Sequence, residues 1–262
     1  MRTLEGKVAV VTGASRGLGA AIARRLAEEG ASVSISARNV DLLEKVANQV
    51  EERGGVALWT GCDVTKPDDI EAMATKTLDR FGRADILVNN AGAISIAPFL
   101  VETDEQWDYM LKVNLDSARW ATRAFLPSMI ENGGGKVIFM SSNAAKKGFI
   151  NDAGYSVAKA GLMALTKVLA VEFGNQGIET FAVHPGLVAE TDMGDFIVED
   201  HIQRPEFEGS REKFWKWANP LSPTGFHPTV TEIEDLVAFL ASPGSTVLTG
   251  TCITADHGFT PY

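Results

Sequence analysis

Cysteine is scarce in this chain, with 2 among 262 residues, Cys62 and Cys252. Two thiols are too few for a disulfide framework or a structural zinc site, so both read as buried small apolar side chains. Histidine is nearly as rare, with 4. His184, His201 and His227 are scattered without metal-ligand spacing, and no metal is expected. Long hydrophobic runs are missing too. The first apolar stretch is only Val8–Val11, and nothing approaches the roughly 18 uninterrupted apolar residues of a membrane span. Without a signal-peptide pattern or an Asn-x-Ser/Thr sequon, the expected location is the cytoplasm. Positive charge is in deficit: Lys+Arg 24 against Asp+Glu 34 gives a net charge of −10. Such a surface repels nucleic acid and anionic membranes, so neither is an expected partner.

What is present is an ordinary globular composition, 45% hydrophobic and 22% charged. A chain of this size buries roughly 70–75% of its unfolded surface, enough for a core of its own. Short apolar runs at Val8–Val11, Ser32–Ser36, Ala57–Thr60, Ile86–Asn89, Val137–Met140, Glu179–Val183 and Thr251–Thr254 read as strands. Helical patterns fill the intervals at Leu18–Glu29, Val40–Glu52, Pro67–Phe81, Asp104–Ile130, Ala153–Phe173 and Thr231–Leu240. Continuous rather than alternating apolar strands belong to a sheet covered on both faces. The fold class is therefore α/β, a doubly wound parallel sheet of about seven strands in a single domain spanning 1–262. From Ala189 to Gly225 the rhythm breaks into a charged and aromatic stretch, longer than an ordinary connection, that reads as a lid over a binding site.

The first strand runs into Thr12-Gly13-Ala14-Ser15-Arg16-Gly17-Leu18-Gly19, and a helix follows. Glycines let the backbone turn sharply and approach a diphosphate, and a helix N-terminus offers it unpaired N–H groups. The spacing is Gly-x-x-x-Gly-x-Gly rather than the commoner Gly-x-Gly-x-x-Gly. The second strand ends Ser36-Ala37-Arg38-Asn39, without the carboxylate that many dinucleotide folds place there for the adenosine ribose.

Further along, Tyr155 and Lys159 stand four apart on a predicted helix, on one face and about one turn from each other. A phenol titrates near pH 10, too high for proton exchange at neutrality. An ammonium about 4 Å away at an effective dielectric of about 20 favours the phenolate by about 4 kcal/mol, a ceiling of roughly three pKa units. A tuned tyrosine can protonate a carbonyl oxygen as hydride arrives, and a serine such as Ser142 can hold the same oxygen. Ser156-Val157-Ala158-Lys159 also matches the Ser-x-x-Lys of penicillin-recognising acyl transferases, but their Lys-Thr-Gly and Ser-Asp-Asn companions are absent.

Taken with Cys62-Asp63-Val64, Asn89-Asn90-Ala91-Gly92, Asn114, Tyr155-Ser156-Val157-Ala158-Lys159 and Pro185-Gly186, the chain resembles the short-chain dehydrogenase/reductase family along nearly its whole length. The resemblance implies a Rossmann-like domain that moves a hydride between a nicotinamide dinucleotide and a small carbonyl/alcohol pair. It implies Tyr155 as general acid/base, Ser142 as the residue orienting substrate, and Lys159 as both ribose ligand and depressor of the Tyr155 pKa. Asn114 would hold a water in a proton relay. The cofactor would meet Gly13, Ser15, Arg16, Gly17, Leu18, Gly19, Arg38, Asp63, Val64, Asn90, Ala91, Gly92, Pro185, Gly186 and Val188.

Relatives that use NAD(H) carry an Asp at the position of Ala37. Its absence here, with Arg38 and Arg16 beside it, implies a preference for NADP(H), with NAD(H) second. The family usually has Thr two residues after the Val of Pro-Gly-x-Val. Here Glu190 stands there and Thr191 follows, leaving open which faces the cofactor. His257, in Asp256-His257-Gly258, reads as a surface or interface residue. A homotetramer is implied by resemblance. Two alternatives share the fold: a 3-oxoacyl-(acyl-carrier-protein) reductase, and a non-catalytic nucleotide-binding regulator. Against the first, Glu131-Asn132-Gly133 and Asn175-Gln176 stand where such reductases carry basic residues. An enoyl reductase would space Tyr and Lys seven apart, but position 162 is Leu162.

Overall fold

Seven apolar runs become seven strands, all parallel, in the computed structural model, which describes residues 3–260. They are β1 (Val8–Thr12), β2 (Ser32–Ala37), β3 (Val56–Gly61), β4 (Ile86–Asn89), β5 (Gly135–Met140), β6 (Ile178–Pro185) and β7 (Thr251–Ala255), in the order β3-β2-β1-β4-β5-β6-β7. Successive side chains of a strand point to opposite faces, so a strand buried on both sides must be apolar throughout. In β1, Val11 packs on one face with Val33, Ile35 and Val88, while Val10 packs on the other with Leu87 and Val137.

Helices α1 (Gly17–Glu28) and α2 (Val40–Glu52) cover the first face together with α9 (Val230–Ala241). Helices α3 (Pro67–Phe81), α4 (Asp104–Leu111), α5 (Ser117–Glu131) and α6 (Ala153–Phe173) cover the second. Each fully buried Val, Leu, Ile or Phe contributes about 1.5–3 kcal/mol relative to exposure. Asp85, at the N-terminal end of the sheet, braces β1. Its buried carboxylate accepts the Val8 N–H at 2.9 Å and is held by Arg83 at 2.5 and 2.9 Å.

Three expectations change. The single helix expected over Asp104–Ile130 is broken by a π-helical turn at Lys112–Asp116 between α4 and α5. The 189–225 stretch holds two further helices, α7 (Asp192–Ile202) and α8 (Arg211–Ala218). Thr191 and Ser210 cap them, and they pack on a small apolar cluster of their own around Val198, Ile202, Phe207 and Phe214. Cys62 is buried as expected, but Cys252 is half-exposed because β7 is an edge strand.

The strand order reverses between β1 and β4. In an open parallel sheet, the crevice beyond the carboxyl ends of such strands is where ligands bind. The glycine loop, the Asn-Asn-Ala-Gly turn and the serines ending β5 all emerge there.

Candidate active site

A cavity of about 1200 Å³ opens at that crevice. At its floor the Thr12 hydroxyl accepts the Asn90 and Ala91 N–H groups, each at 3.1 Å, and the Asn90 amide donates back to the Thr12 carbonyl at 3.0 Å. These bonds fasten the glycine loop to the turn after β4. Gly13, with φ of 67°, and Gly19 allow the approach: a Cβ on Gly13 would sit 2.8 Å from the Ala91 Cα. One on Gly19 would sit 2.4 Å from both the Asn90 amide nitrogen and the Gly13 carbonyl oxygen. Gly19→Ala is therefore expected to destabilise the fold by roughly 1–3 kcal/mol and to weaken dinucleotide binding by about tenfold or more. Urea unfolding and a fluorescence titration with cofactor read the two effects, and unchanged affinity would contradict this account of the loop.

Side chains cap the N-termini of α2, α4, α7, α8 and α9, whereas α1, like α3, α5 and α6, has no side-chain cap. Its first N–H groups face the cavity between Ser15, Gly17 and Leu18, an arrangement that suits phosphate. A dinucleotide thus fits the residues present: an uncapped helix start, glycines that no side chain could replace, and a cleft long enough to run from Arg38 to Pro185.

All the residues expected to meet cofactor or substrate line this cavity except Asn114. Asp63 and Val64, from the turn after β3, and Arg38, at the end of β2, lie at one end. Burial pushes the Asp63 carboxyl up, but hydrogen bonds from Thr65 and the charges of Lys66 and Arg38 outweigh it and hold it below its usual range. Arg16 is ion-paired at 2.5 Å with Asp192, both side chains well exposed. Pro185, Gly186 and Val188 follow β6 at the other end.

Thr191 faces the cavity. Its hydroxyl donates to the Val188 carbonyl at 2.8 Å and accepts the Gly194 N–H at 3.0 Å. Glu190 turns away and accepts the Val230 N–H at the start of α9. Of the two, Thr191 lines the cavity and Glu190 does not.

Ser142 ends the stretch after β5, its hydroxyl accepting the Ala144 N–H at 3.1 Å and lying within hydrogen-bonding reach of Tyr155. Tyr155 and Lys159 share the buried face of α6. Here the electrostatics depart from expectation. The Lys159 ammonium donates to the Met140 carbonyl at 2.9 Å and lies 5.5 Å from the Tyr155 ring centre. Burial pushes Lys159 down to about 8. Burial likewise pushes the Tyr155 phenol up to about 12; the Ser142 bond pulls it back only in part, and Asp152 adds to the rise. The ammonium is engaged by a backbone carbonyl, so the expected depression of Tyr155 is not present in this state.

Asn114 sits in the π-helical turn behind the wall, 1% exposed. Its amide donates to the Ala93 and Met110 carbonyls and its oxygen accepts the Ala93 N–H at 3.2 Å. A Cβ on Gly92 would lie 2.7 Å from the Asn114 oxygen and 3.3 Å from the Lys159 nitrogen, so only glycine lets this turn pass between them.

Two buried residues outside the cavity lining had no individual signal in the sequence. His184, fully buried beneath Ser142, faces its carbonyl at 3.0 Å through Nδ1. Asp256, 2% exposed, accepts the Thr260 N–H and pins the C-terminal tail beside Asn143. His257 lies outside the cavity, bridging Thr224 and Glu232.

A strand-turn-helix dinucleotide cleft ending in a Ser, Tyr and Lys set defines a nicotinamide-dependent oxidoreductase of CH–OH and C=O groups. The model of the short chain dehydrogenase family matches residues 7–201, and the chain belongs to this family. D-threitol dehydrogenase of Mycolicibacterium smegmatis is 34% identical over 257 residues, covering 98% of this chain and 94% of the relative. The 4-formylbenzenesulfonate dehydrogenase of Comamonas testosteroni is 34% identical over 256 residues, covering 97% and 98%. A solved 7α-hydroxysteroid dehydrogenase, complexed with NADH and 7-oxo glycochenodeoxycholic acid, superposes with a TM-score of 0.89 at 29% identity, covering 98% and 95%. Among the described residues no helix is long and apolar enough to cross a membrane.

Proposed function

We propose that the protein is an NADP(H)-preferring carbonyl reductase or alcohol dehydrogenase of a free small molecule, with Tyr155 as the proton-transfer group. The observation that carries this reading is the convergence of Ser142, Tyr155 and Lys159 on one wall of the dinucleotide cleft. Bound nicotinamide would supply or accept the hydride. The chain's own work is then to hold the reacting oxygen and to move one proton.

In the reducing direction the Ser142 hydroxyl donates a hydrogen bond to the carbonyl oxygen, and the Tyr155 O–H gives that oxygen its proton as negative charge develops. In the oxidising direction the Tyr155 oxygen takes the proton back. A phenol held near 12 is a reluctant acid in this state. Lys159 would help hold the cofactor's ribose, and its ammonium, turned from Met140 toward the phenol, would lower the Tyr155 pKa. Asn114, by fixing the turn that carries Ala93, keeps Gly92 clear of Lys159. Helices α7 and α8, resting on their own small cluster, are suited to serve as the substrate cover.

The direct test is nicotinamide oxidation followed at its absorbance band with a panel of ketones and aldehydes, wild type against Tyr155→Phe. Turnover by wild type that depends on Tyr155 is expected; no turnover of any carbonyl would favour the nucleotide-binding regulator. A homotetramer is proposed with it. Val168 and Val171 on α6 are 56% and 88% exposed, more apolar surface than a solvent-facing helix carries without a partner. Light scattering at micromolar concentration is expected to give four times 28.1 kDa, and a stable monomer would overturn it.

A further inference from the structure

Six aromatic rings form one continuous row along the side of the cavity away from the glycine loop. His201 on α7 meets Phe214 on α8 at 5.6 Å between ring centres, and Phe214 meets Trp215 at 4.9 Å. Trp215 meets His227 at 5.5 Å, and His227 meets Phe259 of the C-terminal tail at 6.1 Å. Phe259 then stacks on Phe149, just beyond Ser142, at 6.1 Å with the planes 7° apart. Five chain segments contribute, and every ring except Trp215 lines the cavity. Aromatic faces and edges at these spacings grip flat or ring-shaped apolar bodies by dispersion and by edge-to-face contact.

A charge does lie against this wall: the Lys147 ammonium stands 4.1 Å from the Phe259 ring centre and 5.8 Å from the Phe149 ring centre, outside the cavity lining. Among the lining residues Arg16 is paired with Asp192, and Arg38 stands beside Asp63 at the nucleotide end. Lys159 donates to Met140, and the Asp152 carboxylate accepts the Ser156 hydroxyl at 2.9 Å. Burial lowers the pKa of both His201 and His227, so these rings are neutral at pH 7.

We infer that the substrate is a ketone or secondary alcohol built on at least two fused or linked rings, its carbonyl at Ser142 and Tyr155 and its body against the Phe149–Phe259–His227 side of the row. This rests on the oxidoreductase reading above and narrows it.

The test compares cyclohexanone and 2-decalone. It uses kcat/KM with reduced cofactor and, in parallel, Kd for the enzyme–cofactor complex by tryptophan fluorescence. One added ring in an apolar pocket should raise kcat/KM tenfold or more. Phe149 is 37% exposed, so Phe149→Ala should fold normally; it is expected to shrink the decalone-to-cyclohexanone ratio to about threefold or less. Equal or better use of cyclohexanone, or an unchanged ratio in Phe149→Ala, would each overturn the inference while leaving the oxidoreductase reading intact. Binding of 2-decalone without hydride transfer would instead sink the oxidoreductase reading, and the ratio of Kd values would still decide the ring preference.

Discussion

Replacing Tyr155 by Phe is expected to lower kcat by roughly 10²- to 10⁴-fold while leaving cofactor affinity nearly unchanged. The substitution removes one oxygen from a side chain that is 7% exposed and packed among Met110, Leu162 and their neighbours. The ring stays, so the packing of α6 stays, and Lys159 keeps its bond to Met140. What is lost is the phenolic O–H beside Ser142. Burial holds that phenol near 12 here, and the pH profile tests the proposed role of Lys159 in lowering it. With cofactor bound, alcohol oxidation by wild type should rise with pH and level off well below 12, because the reaction needs the phenolate. In Tyr155→Phe the residual rate should be flat over the same range. A mutant that keeps more than a tenth of wild-type kcat, with chemistry shown to be rate-limiting, would reassign the acid/base role.

Much of the fold was legible because parallel strands buried on both faces must be apolar throughout, a pattern that Val8–Val11 and Val137–Met140 display openly. The nucleotide end was equally plain, since Gly13 and Gly19 stand where no side chain fits. The π-helical turn at Lys112–Asp116 was not. It widens a helix locally without disturbing the apolar spacing on either side, so Asp104–Ile130 reads as unbroken. Helices α7 and α8 were hidden for a different reason. Pro205 and Gly209 lie between them and Pro220 just after, and the aromatics suggest a binding loop as readily as helix. The engagement of Lys159 by the Met140 carbonyl depends on the end of β5 lying under α6, a juxtaposition that spacing along one helix cannot report. The aromatic row is the extreme case: its rings lie in five segments between positions 149 and 259, each unremarkable alone.

NADPH is expected to be preferred over NADH by well over tenfold in kcat/KM, and the preference should collapse or invert in an Ala37→Asp, Arg38→Ile double mutant. Family membership does not decide between the two dinucleotides; the end of β2 does. Ala37 is the last residue of that strand and lines the cavity, so no carboxylate is there to take the ribose hydroxyls or repel a 2′-phosphate. Arg38 follows, exposed, with no ion pair or side-chain hydrogen bond among the described residues. Asn39 already caps α2 through Leu42, which frees Arg38 from any role in starting that helix. Arg16 is held by Asp192, but an exposed pair of this kind contributes about 0–1 kcal/mol, whereas a charge-assisted bond to phosphate contributes roughly 1.5–3 kcal/mol. The phosphate should therefore win Arg16 from Asp192 at modest cost. One such contact already corresponds to about tenfold or more, since 1.4 kcal/mol is a factor of ten. In the double mutant the new Asp would sit at the strand end beside the cavity, attracting ribose hydroxyls and repelling phosphate, while Ile removes the nearer guanidinium. Ala37 is only 8% exposed and packs in the core, so thermal unfolding of the double mutant is measured alongside, and a shift in the ratio in a folded protein reads cofactor choice. A wild-type ratio below one would show that Arg16 and Arg38 do not read the phosphate.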